Sequence, residues 1–109
     1  MVATVVLTPE AAEQFRELPA AIVARMERLL ARLRQWPDVS GVKRLTGDLA
    51  GKCRLRTGDY RLQFRVKARK RTVKESKVVR GKEVVTEKKI VETKIIVEKV
   101  GHRDGFYGE

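Results

Sequence analysis

A chain of 109 residues suits one domain and is too short for two independent cores. An apolar content of 42% can fill one modest core, while 36% charged and 6% aromatic residues leave part of the chain outside it. The formal net charge of +11 at pH 7 points to a polyanionic partner. One cysteine rules out an internal disulfide, and no apolar run nears the roughly 20 residues that span a bilayer. The N-terminus does not read as a signal peptide, so a cytoplasmic protein is expected.

In chain order, residues 3–7 are short, β-branched and bounded by Thr8-Pro9, which predicts a strand. Thr8 then reads as an N-cap, with Pro9 at the first helical position and Glu10 in the first turn, where the helix dipole favours an acid. Ala11, Phe15 and Leu18 keep helical spacing, and Pro19 opens a second helix. That helix carries Ile22, Met26, Leu29, Leu30, Leu33 and Trp36 on one stripe, with Arg25, Arg28, Arg32 and Arg34 mostly off it, and Pro37 ends it. Two amphipathic helices with almost no linker form a hairpin that needs a surface to cover.

Residues 52–56 alternate basic with apolar, Thr57-Gly58-Asp59 is a turn signal, and residues 60–66 alternate again. If the turn sets Arg56 opposite Arg61, Lys52, Arg54, Arg56, Arg61, Gln63 and Arg65 share one face. Cys53, Leu55, Leu62 and Phe64 share the other. One face is core and the other a cationic platform. Residues 43–71 hold eleven Lys and Arg against only Asp48 and Asp59, so the charge forms a patch. Residues 95–100 are a second β signal, expected to return beside the Arg61 strand.

Between them, about residues 67–94 form a charged, valine-rich stretch with Arg80-Gly81 at its centre. Folding the chain back there sets Lys74 opposite Glu87, Arg69 opposite Glu92 and Phe64 level with Val97. This predicts a long β-hairpin arm. Its outer half has too little apolar surface to be stable alone, so a mobile loop is the other reading.

Three segments carry a resemblance. They are Arg44-Leu45-Thr46-Gly47, then residues 52–62 with the run Arg54-Leu55-Arg56-Thr57-Gly58-Asp59-Tyr60-Arg61, and then Gly101-His102-Arg103 with Tyr107 behind it. Together with the order of elements they resemble the RelE/ParE toxin superfamily, over nearly the whole chain apart from the arm. The resemblance implies one α+β RelE-like domain over residues 1–109, with the N-terminal strand and helical hairpin packed on a small antiparallel sheet and the arm inserted. It also implies a type II toxin, neutralised by an acidic antitoxin, that acts on mRNA in the ribosome (RelE-like) or on DNA gyrase (ParE-like). A heterotetramer with the antitoxin would fit.

Carried over position by position, the catalytic set looks like Lys52, Arg54, Arg61, Arg103 and Tyr107. Lys43, Arg44, Arg56, Arg65, Lys67 and Arg69 would bind RNA. Arg54 stands where many nucleolytic relatives have a second lysine. Arginine keeps its proton, which makes it a poor general acid but a good two-pronged phosphate ligand.

No metal or cofactor is expected, since His102 is the only histidine, Cys53 faces the predicted core and no carboxylates cluster. RNA cleavage without a metal needs a base for the 2′-OH, cations for the phosphorane and an acid for the leaving 5′-oxygen. Arg61 and Arg103 would neutralise the phosphate, Lys52 would donate the proton and Tyr107 would accept one. Three other readings compete. The strand arginines can form a plain solvated face, the chain can inhibit gyrase without catalysis, or it can be a non-catalytic nucleic-acid-binding module worked by its arm.

Overall fold

A computed structural model describes residues 3–106. The elements run β1 (Thr4–Leu7), α1 (Pro9–Arg16), α2 (Ala20–Leu33), β2 (Lys43–Arg44), a 3-10 turn (Gly47–Leu49), β3 (Lys52–Thr57), β4 (Tyr60–Val79) and β5 (Lys82–His102). The strands form one sheet in the order β1-β5-β4-β3-β2. α1 lies against β5 and α2 against β3.

Local chemistry explains the first turn of the helical hairpin. Thr8 adopts extended backbone, and its hydroxyl accepts the amide of Ala11 at 3.1 Å, capping α1 behind Pro9. α2 starts at Ala20, with Pro19 as an N-cap that has no side-chain acceptor to offer. α2 is shorter than the apolar stripe predicts. It stops at Leu33, and Trp36 sits in the following turns, meeting Phe64 edge to face at 5.6 Å between ring centroids. The core gathers Met26, Leu29 and Leu33 from α2, Ala11 from α1, and Cys53, Leu55, Leu62, Phe64, Ile95, Val97 and Val100 from the sheet.

The sheet is mixed, since β1 runs parallel to β5 (Thr4 opposite Lys94, Leu7 opposite Val97) and the remaining pairs are antiparallel. The expectation of an antiparallel sheet therefore holds for four strands. The β-branched N-terminal strand joins as a fifth at the edge, where β5 would otherwise present unpaired amides and carbonyls.

The β3–β4 turn sets Arg56 opposite Arg61, as the alternation predicts, with Gly58 at φ 58°. At the far end Arg80 and Gly81 both take positive φ, 53° and 78°. That is the two-residue hairpin turn whose twist matches its strands. The ladder sets Lys74 opposite Glu87, Arg69 opposite Glu92 and Phe64 opposite Val97, so the stretch is a hairpin rather than a loop. β3 pairing ends at the Lys52–Arg65 pair and β1 pairing at the Thr4–Lys94 pair. Among the described residues, 66–93 thus form a ribbon with both edges open, which helps give the molecule its 66 Å long axis.

Candidate nucleic-acid interface

The sheet face away from the helices carries the platform. Cross-strand rows follow from register: Arg56, Arg61 and Gly101; then Arg54, Gln63 and Lys99; then Lys52, Arg65 and Ile96. Rows two residues apart stand about 7 Å from one another at ~3.4 Å per residue, so Lys52 and Arg56 mark ends roughly 14 Å apart. Lys43 joins the middle row opposite Arg54. Arg44 does not join the platform. It lies opposite Cys53, and the pleat sends it toward the other face.

A β-bulge divides the platform. The register shifts between Gln63 and Phe64, so β5 opposes them with Lys99 and Val97 and leaves Glu98 as the extra residue. α1 holds this bulge. The side-chain oxygen of Gln14 accepts the Val100 amide at 2.8 Å, and the Thr8 hydroxyl donates to the Glu98 carbonyl at 3.5 Å. The Glu98 carboxylate reaches Lys52 Nζ at 3.2 Å and Arg65 Nε at 3.3 Å. The Lys52 contact is an ion pair without hydrogen-bond alignment, since the buried Oε1 has no hydrogen-bond partner. Sequence reasoning missed Glu98. Its signal is the core spacing Ile95, Val97, Val100, where a step of three replaces a step of two.

The other end keeps its charge. Among the described residues, no carboxylate lies within ion-pair reach of Lys43, Arg54, Arg56 or Arg61. Gly41, Lys43, Arg54 and Arg56 line an open notch of about 290 Å³. Three cations around a concave space, two of them arginines with fork geometry, form a place for a phosphate.

After β5 the chain turns back over this end. The Arg103 amide donates to the Asp59 carbonyl at 2.7 Å, and its guanidinium stands 3.8 Å from both Asp59 and Asp104. Phe106 is buried against Gly101, with the Lys99 ammonium 4.8 Å from its ring centroid. Arg103 is thus held at the Arg56–Arg61 end of the sheet. Tyr107 lies outside the described residues.

Neither a family model nor a curated protein matches the sequence. Among solved structures, a chain of the toxin-antitoxin complex RelBE2 from Mycobacterium tuberculosis superposes with a TM-score of 0.64 at 24% identity, over 94% of this chain and 100% of that one. The chain has the RelE-like toxin fold.

On this RelE-like fold, Arg54, Arg61 and Arg103 gather at one end of the platform with Lys43 and Arg56. Lys52 and Arg65 stand at the other, bridged by Glu98. Lys67 and Arg69 continue outward on β4 beyond them. Gln63 sits within the platform at only 5% exposure, a polar floor rather than a free contact. His102 packs edge-on against Tyr60, and its Nδ1 accepts the Asp104 amide at 3.1 Å, so it orders the tail.

Burial pushes the Cys53 thiol up, and the nearby Arg44 charge partly offsets it. A neutral, buried thiol is a poor nucleophile. Among the described residues no group of three His, Cys, Asp or Glu could hold a metal, and no helix is long and apolar enough to cross a membrane.

Proposed function

We propose that this protein is the toxin of a type II toxin-antitoxin system and that it cuts translated mRNA at the basic platform without a metal. The observation that carries the reading is the set Lys43, Arg54, Arg56 and Arg61, cations on one sheet face that no carboxylate among the described residues neutralises. Leaving several like charges close together costs stability unless an anion joins them.

In this mechanism Arg54, Arg61 and Arg103 hold the scissile phosphate and stabilise the phosphorane, a task suited to fixed, permanently charged forks. The Lys52 ammonium, kept in place by Glu98, protonates the leaving 5′-oxygen, and Tyr107 takes the proton of the 2′-OH. Lys43, Arg56 and Arg65 bind the flanking backbone. An acidic antitoxin covers the same platform in the resting complex, a reading supported by the toxin-antitoxin complex that shares the fold.

Losing one preorganised donor at such a site lowers rate on the order of a hundredfold. Arg61→Ala and Arg103→Ala are therefore expected to relieve growth arrest while the protein stays folded. Primer-extension mapping after induction checks the reaction. In-frame cuts in translated messages are expected from the parent and not from the variants. Intact mRNA with blocked replication would overturn the nuclease reading in favour of gyrase.

A further inference from the structure

We propose that the outer hairpin is a duplex-binding arm whose platform-side face grips the phosphate rows of an RNA double helix. The assignment of a duplex rests on the hairpin itself, and only the choice of RNA over DNA rests on the function proposed above.

The register sorts the arm's charges by face. Short of the turn, the face continuous with the platform carries Lys67, Arg69, Arg71, Lys77, Lys88 and Lys94 against Glu75 and Glu92. The opposite face carries Lys70, Lys74 and Lys89 against Glu83 and Glu87. Ion pairs within the ribbon cancel part of each, Arg71 with Glu92 at 2.7 Å on the first face and Lys74 with Glu87 at 3.9 Å on the second. Even so the platform side keeps the larger excess. A merely solvated ribbon has no reason to segregate charge this way, whereas a phosphate-tracking one does.

The kind of nucleic acid follows from what the arm lacks. Residues 67–94 contain no Phe, Tyr or Trp. Proteins that hold single strands stack bases on aromatic rings, which this face cannot do. A double helix keeps its bases stacked inside and turns its phosphates outward, and RNA duplexes are read largely by shape and backbone. Residues 67–79 of β4 at ~3.3 Å each reach about 43 Å, more than the ~35 Å of one turn of duplex DNA. A two-stranded ribbon is also the most twisted form of sheet, so its cationic row winds to meet a helical array of phosphates.

The test compares two full-length triple variants that remove equal charge. Arg69→Gln with Lys77→Gln and Lys88→Gln empties the platform-side face, and Lys70→Gln with Lys74→Gln and Lys89→Gln empties the other. All six positions are exposed, so both proteins should melt as the parent does. Affinity is measured against salt for a 16-base-pair RNA duplex, the matching DNA duplex and the single strand.

The first variant is expected to flatten the slope of log K against log salt for the RNA duplex by about 2 to 3, at ~0.9 per lost contact. The second should flatten it by less than about 1, and the parent should bind the RNA duplex more tightly than the single strand. Equal flattening by both variants, a single strand bound as tightly as the duplex, or tighter binding to DNA would each overturn the proposal. No step of this assay requires cleavage. Intact cellular mRNA would therefore sink the nuclease reading without touching the face-selective binding.

Discussion

β4 and β5 form one continuous ladder, yet its two halves are held by different physics. β4 from Tyr60 to Arg65 and β5 from Lys94 to Val97 have a neighbouring strand on both sides, and Leu62, Phe64, Ile95 and Val97 are fully buried under the helices. Beyond Val66, which still packs on the core, the ribbon to residue 93 has cross-strand pairs and no further strand neighbour, and Val78 at 77% exposure and Val85 at 59% face water. The inner half is stabilised by burial, worth about 25 cal/mol per Å² of apolar surface. The outer half relies on register, turn geometry and charge pairs of a few tenths of a kcal/mol each. One strand pair can therefore serve as scaffold at one end and as a displaceable binding element at the other.

The sharpest way to expose that contrast is Phe64→Ala, which opens a cavity between Trp36 and the sheet. It is expected to cost about 3–5 kcal/mol in urea unfolding, a large share of a small domain's stability. Gln14→Ala comes next. It strips the acceptor from the Val100 amide at the bulge, which should cost about 1–2 kcal/mol and speed hydrogen exchange at Val100 more than in the arm. A protected Val100 in that variant would show that α1 does not hold the bulge.

Arg80→Asn should act in the opposite direction and only on the outer half. Arg80 takes a left-handed conformation that asparagine adopts more readily, so arm amides should gain about 1 kcal/mol of protection while the global transition stays put. Val78→Ala should be smallest, within about 0.5 kcal/mol. A larger loss would mean that the arm's tip is covered in solution.

Much of this was legible in the sequence because it rests on period and parity. Alternation in 52–56 and 60–66 around Gly58 set the platform, and folding at Arg80-Gly81 set the arm's register residue by residue. Less visible were features that depend on two distant segments meeting. β2 is two residues long and has no periodicity to read. β1 shows its own propensity but not that its partner is β5, 90 residues later. The Glu98 bridge needs an irregularity in β5 that Gln14 of α1 and its N-cap Thr8 hold by hydrogen bonds. The face that Arg44 takes was not legible either, because the register of its short strand, which sets it opposite Cys53, decides it. The resemblance supplied the candidate set, and the geometry shows that Lys52 does not share the open notch with Arg54 and Arg56.

The two open edges of the arm also bear on solubility. Each presents a row of amides and carbonyls that another ribbon could complete, and Val78, Val79, Val84 and Val85 near the tip are the apolar, β-branched residues that favour such stacking. Lysines and arginines interrupt both strands, so edge-on approach of two copies sets like charges against each other at contact distance. That repulsion is long-ranged only in dilute salt, since the screening length shrinks from about 10 Å at 0.1 M to about 3 Å at 1 M. The same cations that suit the arm to phosphate thus act as its gatekeepers against self-assembly, and the protein should be most soluble in low-salt solutions free of polyanions.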